Sequence, residues 1–299
     1  SWERAKEADP NRILIRLLME RGITKGRIGI DETLLPPDNS FWQEIRNSLP
    51  NLTPVRARDI FREIRLVKSE EEVRRIGEAV AITEKAWETS LAQAEKDMSE
   101  REFADIYEHT VLSKGGRIVS KMGMYGAPIG FGRRTAFVDI ALPSDYRLAK
   151  GDLIRLDGGC SYMGYRCDIG RTAVLGEPSE KLREYYDAML QGEQLAIDMA
   201  KPGVKASAIF KAVVEKVRSG IPHYARHNTG HGWGVEEYDP PTIGPKDDTE
   251  LEEGMVVCFE TPYYEVGWGG PIVEDVVVIS GNGVRILNKL SRELHIISK

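Results

Sequence analysis

Residues 156–168 constrain the fold of this chain more than any other stretch, because two acidic residues lie in strand-like sequence on either side of a turn. We expect a hairpin that turns at Tyr162 and Met163, with Gly164 able to adopt a positive φ. In this register Asp157 directly faces Asp168. Opposed side chains have Cβ atoms about 4.5–5.5 Å apart, so two carboxylates repel each other there. A divalent cation between them relieves the repulsion, since hard cations prefer carboxylate oxygens.

A second acidic pair follows the same pattern nearer the C-terminus. A turn centred on Gly267 would place Glu260 directly opposite Glu274. Glu260 lies in an otherwise apolar run, and a buried carboxylate needs a partner. His231 has a glycine on each side, which lets the backbone bring its imidazole close to a site. Considered singly, an acidic pair is also compatible with solvated edge residues, and a lone histidine with a turn or core position.

Strand-like and helical patterns alternate through most of the sequence, and hairpin-type strand pairs dominate. Four apolar runs predict strands, over residues 153–162, 165–175, 255–264 and 271–279. Two capping boxes and two longer periodic stretches predict helices, which begin at Ser69 and Ser99 and cover residues 179–200 and 205–219. Together these elements predict an α+β fold in which helices pack on a curved, mostly antiparallel sheet.

The N-terminal part of the chain has a separate organisation. Periodicity predicts a helix over residues 11–21 with Gly22 as its stop, followed by a short strand over residues 27–31. Prolines interrupt the sequence after this strand. We therefore expect a small α/β domain over residues 1–64 and a larger domain over residues 65–299.

The composition of the chain excludes several functional classes. A net charge of −6 gives no general attraction to nucleic acid. No run approaches the roughly 18 apolar residues that a membrane-spanning helix needs, and the first residues contain no signal-peptide core. The three cysteines, Cys160, Cys167 and Cys258, do not suggest a disulfide framework. They favour a reducing compartment, so we expect a cytoplasmic protein.

Several motifs in this sequence resemble those of the pita-bread metallopeptidases, a family that includes methionine aminopeptidase, aminopeptidase P, prolidase and creatinase. The similar segments are residues 156–159, 165–172, 227–234, 254–260 and 273–275. The resemblance covers about residues 60–299 and implies the pita-bread fold. Residues 1–64 resemble the last part of the creatinase-like N-terminal domain of these relatives. That domain is usually longer, so we expect the chain to be a fragment or its upstream part to lie on a separate piece.

The resemblance implies a hydrolase that holds two divalent cations. Asp157 would bind one ion, and His231 and Glu260 would bind the other. Asp168 and Glu274 would bridge the two ions. A bridging water would lose its proton to become the nucleophile, with Glu260 as the proton acceptor. Manganese, cobalt, zinc and iron are all compatible with an oxygen-rich site that contains one histidine. The family resemblance also implies a homodimer, and a short peptide or small molecule as substrate.

The substrate-binding residues of the family are largely replaced in this chain. Residues 139–143 contain no histidine where the family has one shortly before the strand of the first aspartate. Tyr238 stands where the family has another histidine, and Ile272 stands where it often has an arginine. His227 is retained. We therefore expect Glu260, His227 and Tyr238 to be the catalytic residues, with Tyr238 as a partial replacement donor.

Three functions are compatible with this pattern. The first is a dinuclear-metal Xaa-Pro dipeptidase or aminopeptidase, which is the commoner activity of the fold. The second is a metal-dependent, non-peptidase hydrolase or lyase for a small polar metabolite, which the replaced histidines favour. The third is a non-catalytic pita-bread scaffold, which the retention of all five ligand residues disfavours.

Two of the cysteines lie next to these candidate ligands in sequence. Cys258 is two residues from Glu260, so strand alternation places both on one face. It is therefore either a small core residue or a further metal ligand. Cys167 precedes Asp168 directly and should point away from it.

Overall fold

The computed structural model describes residues 9–31, 40–121, 124–137, 143–236 and 238–298. The chain divides into two compact units, Ser1–Arg65 and Leu66–Lys299. Each unit has a hydrophobic core of its own. Within the described ranges, no helix is both long enough and apolar enough to cross a bilayer.

The first unit contains helices packed beside two parallel strands. In chain order its described elements are α1 (Pro10–Glu20), β1 (Gly26–Ile30), α2 (Ser40–Ser48), β2 (Leu52–Arg56) and α3 (Arg58–Leu66). Asp9 caps α1 by accepting a hydrogen bond of 2.9 Å from the backbone N–H of Asn11. The predicted helix and strand are both confirmed, and each begins one residue earlier than expected. The core of the first unit includes three buried residues of α2, namely Phe41, Trp42 and Ile45.

The second unit carries the predicted helices and the predicted strands. Its helices are α4 (Glu70–Gln93), α5 (Glu100–Ser113), α6 (Glu180–Met199) and α7 (Ala206–Arg218), with a 3₁₀ helix over Gly132–Ala136. Its strands are β3 (Arg117–Ile118), β4 (Ser120–Lys121), β5 (Met124–Tyr125), β6 (Ile129–Phe131), β7 (Leu153–Gly158), β8 (Cys160–Tyr162), β9 (Tyr165–Arg166), β10 (Ile169–Leu175), β11 (Gly230–Gly232), β12 (Asp239–Thr242), β13 (Val256–Glu260), β14 (Glu274–Ser280), β15 (Gly283–Ile286) and β16 (His295–Ile297).

Two of the predicted strands are split in the structure. The run over 153–162 breaks into β7 and β8, and the run over 165–175 breaks into β9 and β10. Gly159 lies at the first break, where an added Cβ would come within 2.6 Å of the Cys167 carbonyl oxygen. The two chain segments thus approach each other too closely there for a side chain to fit.

Among the described residues, nine strands form the main sheet of the second unit. Its central order is β12-β11-β13-β14-β10-β7-β6, with β15 paired to β14 and β16 paired to β10. The pairs are antiparallel except for β10 with β16. The prediction of a mostly antiparallel sheet is therefore confirmed.

Helices of the second unit pack in pairs and hold the strands that carry the acidic residues. α4 and α5 share a core with β6, β7 and β10, in which Trp87, Phe103 and Phe131 pack edge to face. α6 and α7 share a second core with β13 and β14. The predicted capping boxes at Ser69 and Ser99 are both confirmed, each with a glutamate three residues later.

Candidate metal centre

The hairpin that carries Asp157 and Asp168 has a different register from the predicted one. Met163 and Gly164 occupy its turn, with φ values of +48° and +89°. A two-residue hairpin turn of this type needs a positive φ at both central positions. Because Gly164 adopts a positive φ readily, it takes one of these positions, and the turn lies one residue later than expected. Asp157 consequently faces Gly170 instead of Asp168. The predicted direct pairing of the two aspartates is wrong.

Gly170 keeps both aspartates close to Glu274 despite this shift. It pairs with Asp157 on β7 and with Glu274 on β14. A Cβ at this position would lie 2.6 Å from the Ile272 side chain and 2.8 Å from the Cβ of Glu274, so only glycine permits this approach. Asp168 lies diagonally from Asp157 across the strand pair. Carboxylate oxygens of Asp157, Asp168 and Glu274 all lie within 4.8 Å of one another.

The second acidic pair has the register that the sequence predicts. Glu260 on β13 lies directly opposite Glu274 on β14. The loop between them closes with a bridge from Glu265 to Gly269, and Gly267 inside it has a φ of +90°. The predicted pairing of the two glutamates is confirmed.

His231 reaches the same place from the neighbouring strand β11. It lies opposite Cys258 of β13, and donor atoms of His231, Cys258 and Glu274 lie within 4.8 Å of one another. The Nδ1 atom of His231 lies 3.2 Å from the Gly232 carbonyl oxygen. Because a carbonyl can only accept, Nδ1 carries the proton and Nε2 is the nitrogen suited to bind a cation. The ring of Tyr238 packs on this imidazole at a centroid distance of 4.1 Å.

Two arginines and a tyrosine contact the acidic residues. None of the three was predicted from the sequence as part of the site. Arg226 Nη2 lies 3.4 Å from Oε2 and 3.5 Å from Oε1 of Glu260. Arg155 Nη2 lies 3.7 Å from Asp157 Oδ2. The hydroxyl of Tyr264 donates to the same Asp157 oxygen at 3.5 Å. Arg155 and Arg226 lie 5.2 and 5.4 Å from the centre of the Tyr264 ring, within the range of cation–π attraction.

These additional residues differ in whether a local sequence pattern indicates their place in the site. Arg155 lies two residues before Asp157 in one strand, so alternation places both on the same face. That signal could have identified it. Arg226 contacts Glu260 across 34 positions of the chain, and no local pattern indicates the contact. Arg155 is fixed by donating to the carbonyl oxygen of Thr135 at 2.6 Å.

The burial of the acidic residues fits a site for divalent cations. Glu274 is only 1% exposed, and its Oε1 atom has no hydrogen-bond partner in the described part of the chain. Burial raises the pKa of Glu274 well above its usual range, and the nearby charges of Asp168, Glu260 and Asp157 raise it further. Several desolvated carboxylates with an imidazole beside them are a donor set that divalent cations satisfy.

Arg171 holds the central strand pair from the opposite side. It neighbours Gly170 on β10, so its side chain points away from the acidic group. Its Nη1 donates to the Glu274 carbonyl oxygen at 2.6 Å, and its Nη2 donates to Asp275 Oδ1 at 2.5 Å. The backbone of Glu274 is thereby fixed by a buried, charge-assisted contact.

The remaining predicted site residues lie at the edge of this group or outside it. His227 is exposed, and partial burial together with the charge of Arg226 lowers its pKa. The side chain of Tyr238 is about half exposed, at 51%. Ile272 is fully buried. Residues 139–142, part of the segment that lacks the family histidine, lie outside the described residues.

The cysteines occupy two different environments. The Sγ atom of Cys167 lies 3.3 Å from Thr83 Oγ1 in the core below α4, so it points away from Asp168 as expected. Cys258 is fully buried. Burial, and then the charge of Glu274, raises the pKa of the Cys258 thiol well above its usual range. All three cysteines are free thiols.

Comparisons with known proteins match most of the chain. The family model described as metallopeptidase family M24 matches residues 74–281. A Xaa-Pro dipeptidase of Pyrococcus furiosus is 35% identical over 237 residues, which cover 79% of this chain and 67% of the relative. A Xaa-Pro dipeptidase of Pyrococcus horikoshii is 32% identical over 270 residues, which cover 89% of this chain and 74% of the relative.

Solved structures agree with the sequence matches. The X-Pro aminopeptidase of Thermotoga maritima superposes with a TM-score of 0.85 at 27% identity, over 98% of this chain and 81% of that chain. The prolidase of Pyrococcus furiosus superposes with a TM-score of 0.81 at 30% identity, over 96% of this chain and 81% of that one. The predicted pita-bread fold is confirmed by these similarities.

Proposed function

Because this chain belongs to metallopeptidase family M24 and is a metal-dependent hydrolase, we propose that it cleaves the bond before proline in short Xaa-Pro substrates. The observation that carries the proposal is that four side chains, Asp157, Asp168, His231 and Glu260, meet around the buried Glu274. The named activities of the relatives support the substrate class. They do not favour the non-peptidase hydrolase or lyase, or the non-catalytic scaffold.

These five side chains are our candidates for holding two divalent cations. Glu274 belongs to both close groups of donor atoms, so it would hold both ions, and the family resemblance implies the same role for Asp168. Asp157 would hold one ion, and His231 and Glu260 would hold the other. Bound cations of this kind polarise a substrate carbonyl and lower the pKa of water enough to supply a nucleophile at neutral pH.

Glu260 is our candidate for the proton acceptor. It lies directly opposite Glu274, and the guanidinium of Arg226 lies 3.4 Å from its carboxylate. An ionised carboxylate can take a proton from an attacking water and pass it to the leaving nitrogen. His227 and Tyr238 are exposed and are our candidates for contacting the substrate. The hydroxyl of Tyr238 can donate to an oxygen that gains charge during the reaction.

The two arginines support a substrate that has a free carboxylate close to the cleaved bond. Four carboxylates and two divalent cations cancel in charge, so Arg155 and Arg226 leave the site with a net positive charge. Arg226 is 9% exposed, and its Nε has no hydrogen-bond partner among the described residues. A guanidinium binds a carboxylate through paired hydrogen bonds. We therefore assign Arg226 to bind the carboxylate of an Xaa-Pro dipeptide.

Further parts of the proposal concern the metal, the assembly and the compartment. We propose manganese as the first metal to test, because Asp157, Asp168 and Glu274 offer only oxygen atoms. Cobalt, zinc and iron are the alternatives. The family resemblance supports a homodimer. The three free cysteines support a reducing compartment such as the cytoplasm.

The test is hydrolysis of a panel of Xaa-Pro dipeptides and longer Xaa-Pro-led peptides by protein reconstituted with manganese. We expect cleavage of the dipeptides, measured as the release of free proline. Glu260→Ala should abolish it, because the variant loses both a ligand and the proton acceptor. Glu253→Ala, which changes an exposed glutamate outside the site, serves as the matched control and should retain full activity.

Two outcomes would contradict the proposal. If the metal-loaded protein cleaves no Xaa-Pro substrate, the site serves another reaction, and small polar metabolites become the substrates to screen. If Glu260→Ala cleaves as fast as Glu253→Ala, the activity arises elsewhere or from a contaminant.

A further inference from the structure

The two groups of side chains that share Glu274 differ in chemistry. Asp157, Asp168 and Glu274 offer oxygen atoms only, whereas His231, Cys258 and Glu274 offer nitrogen, sulfur and oxygen. We propose that Cys258 is a thiolate ligand of the second cation and makes that position selective for zinc, iron(II) or cobalt over manganese. The inference rests on the two-cation centre of the proposed function, but not on its Xaa-Pro specificity.

Strand geometry places Cys258 among the candidate ligands. It lies two residues before Glu260 on β13, so both side chains point to the same face. It is directly opposite His231 on β11, where Cβ atoms are about 4.5–5.5 Å apart. The residues on either side of it, Val257 and Phe259, pack into the core of α6 and α7. Cys258 therefore lies on the opposite face of the strand, where it borders the core shared by α4 and α5 and its Sγ lies within 4.8 Å of donor atoms of His231 and Glu274.

A second observation independently points to a ligand at this place. The Glu274 side chain is almost completely buried, and its Oε1 atom has no hydrogen-bond partner in the described part of the chain. A buried acceptor without a partner is costly, and an ion supplies the missing contact. Glu260, by contrast, lies outside the close group of described donor atoms and contacts Arg226. In the structure, the third member of the group that contains His231 and Glu274 is therefore the sulfur of Cys258 and not the carboxylate of Glu260.

The donor set decides which metal each position prefers. Thiolate is a soft ligand that suits zinc and iron, and imidazole suits the same metals, while a purely carboxylate position suits manganese or magnesium. A metal binds the deprotonated sulfur, so the proton of the Cys258 thiol leaves to solvent as the cation enters. No oxidation or reduction is involved. The protein would thus contain two cation-binding positions that prefer different metals and lie close together.

X-ray absorption of the full chain loaded with zinc tests the proposal directly. A sulfur ligand lies at about 2.3 Å from zinc, whereas nitrogen and oxygen ligands lie at about 2.0–2.2 Å, so the two are resolved. We expect a sulfur contribution in the natural protein that disappears in Cys258→Ser and in Cys258→Thr. Cys167→Ala is the matched control, since that thiol lies in the core beside Thr83 and its loss should leave the sulfur signal unchanged.

Zinc bound in stoichiometric amount with no sulfur neighbour in the natural protein overturns the proposal. So does a sulfur signal that survives in both Cys258 variants or disappears in Cys167→Ala. A variant that fails to bind zinc because it is unfolded is identified by circular dichroism, and the natural protein alone still decides the question. The measurement uses no substrate, so a failure to cleave Xaa-Pro peptides leaves this result unaffected.

Competition between metals gives a second readout. Replacing even an outer partner of a metal ligand costs about 10–100-fold in affinity. We expect Cys258→Ser to lower the preference for zinc over manganese by at least about tenfold, measured by dialysis against both ions and elemental analysis. An unchanged ratio of bound zinc to manganese would show that Cys258 does not contact the metal.

Discussion

Tyr238 is the residue that tests how the site works without the family histidines. Its ring lies 4.1 Å from the His231 ring, the residue is about half exposed, and its hydroxyl is a group that can donate a hydrogen bond. We expect Tyr238→Phe to lower kcat by up to about a hundredfold, the lower limit for loss of an oxyanion donor. Metal content should not change. Steady-state kinetics with elemental analysis would check this, and an unchanged kcat would remove Tyr238 from the mechanism.

Arg226 is the residue that tests recognition of the substrate carboxylate. We expect Arg226→Met to raise KM for a dipeptide such as Ala-Pro by about 10–100-fold, because a hydrogen bond to a charged group contributes about 1.5–3 kcal/mol. The KM for the corresponding C-terminal amide should change much less. Arg226→Lys should recover part of the effect. Equal changes for the acid and the amide would mean that Arg226 acts only through Glu260.

At the residue scale, the sequence indicated the candidate ligands better than the residues around them. Asp157, Glu274 and His231 stand out because charged or imidazole groups in apolar or glycine-rich stretches need a reason to be there. Arg155 is likewise a charged residue in an apolar strand, two positions before Asp157, but an arginine does not bind metal ions and so is not part of a metal-binding pattern. Arg226 meets Glu260 only through the tertiary fold, so no pattern in the sequence could have paired them.

Gly170 is the element-scale feature on which the site depends, since it sets how closely β10 and β14 approach. We expect Gly170→Ala to destabilise the protein by about 1–3 kcal/mol, because the new Cβ would overlap Ile272 and Glu274. Metal affinity should fall as Glu274 moves away from the aspartates. Urea denaturation and metal titration would measure both effects.

Gly77→Ala is the matched control for this substitution. Gly77 lies inside α4 with no atom near an added Cβ, so the change should stabilise the protein by up to about 1 kcal/mol. The expected effects of the two glycine substitutions therefore have opposite signs. Equal stability of Gly170→Ala and the natural protein would show that β14 can shift without cost.

The two hairpins show what turn chemistry reveals about register. For the second hairpin, the glycine at the loop centre and the acidic pair agreed, and the predicted pairing of Glu260 with Glu274 is confirmed. For the first, the expected turn at Tyr162 and Met163 led to a direct pairing of Asp157 with Asp168, but Met163 and Gly164, both with positive φ, form the turn instead. Moving the turn by one residue moves the pairing partner of Asp157 by two, from Asp168 to Gly170. Residues two apart in a strand point to the same face, so the two aspartates still lie close together.

At the scale of the whole molecule, the candidate metal centre couples binding to stability. We expect removal of the cations by a chelator to lower Tm by about 5–10 °C, since a ligand at 100 times its Kd contributes about 2.7 kcal/mol and each kcal/mol is worth about 2–4 °C at this size. Scanning calorimetry of loaded and chelated protein would measure the shift. The same chelator should leave Tm of Glu274→Gln nearly unchanged, and an equal shift in that variant would contradict the assignment.

Glu274 belongs to both groups of donor atoms, and in the proposed centre this sharing would make the two ions antagonists. The first ion to arrive would neutralise part of a carboxylate that both ions need, so the second would meet a weaker attraction. The penalty is the same whichever position fills first, because coupling between two binding equilibria is reciprocal. A calorimetric titration with a single metal should therefore resolve two steps. Between them, over a wide range of metal concentration, a singly loaded protein would be the main species.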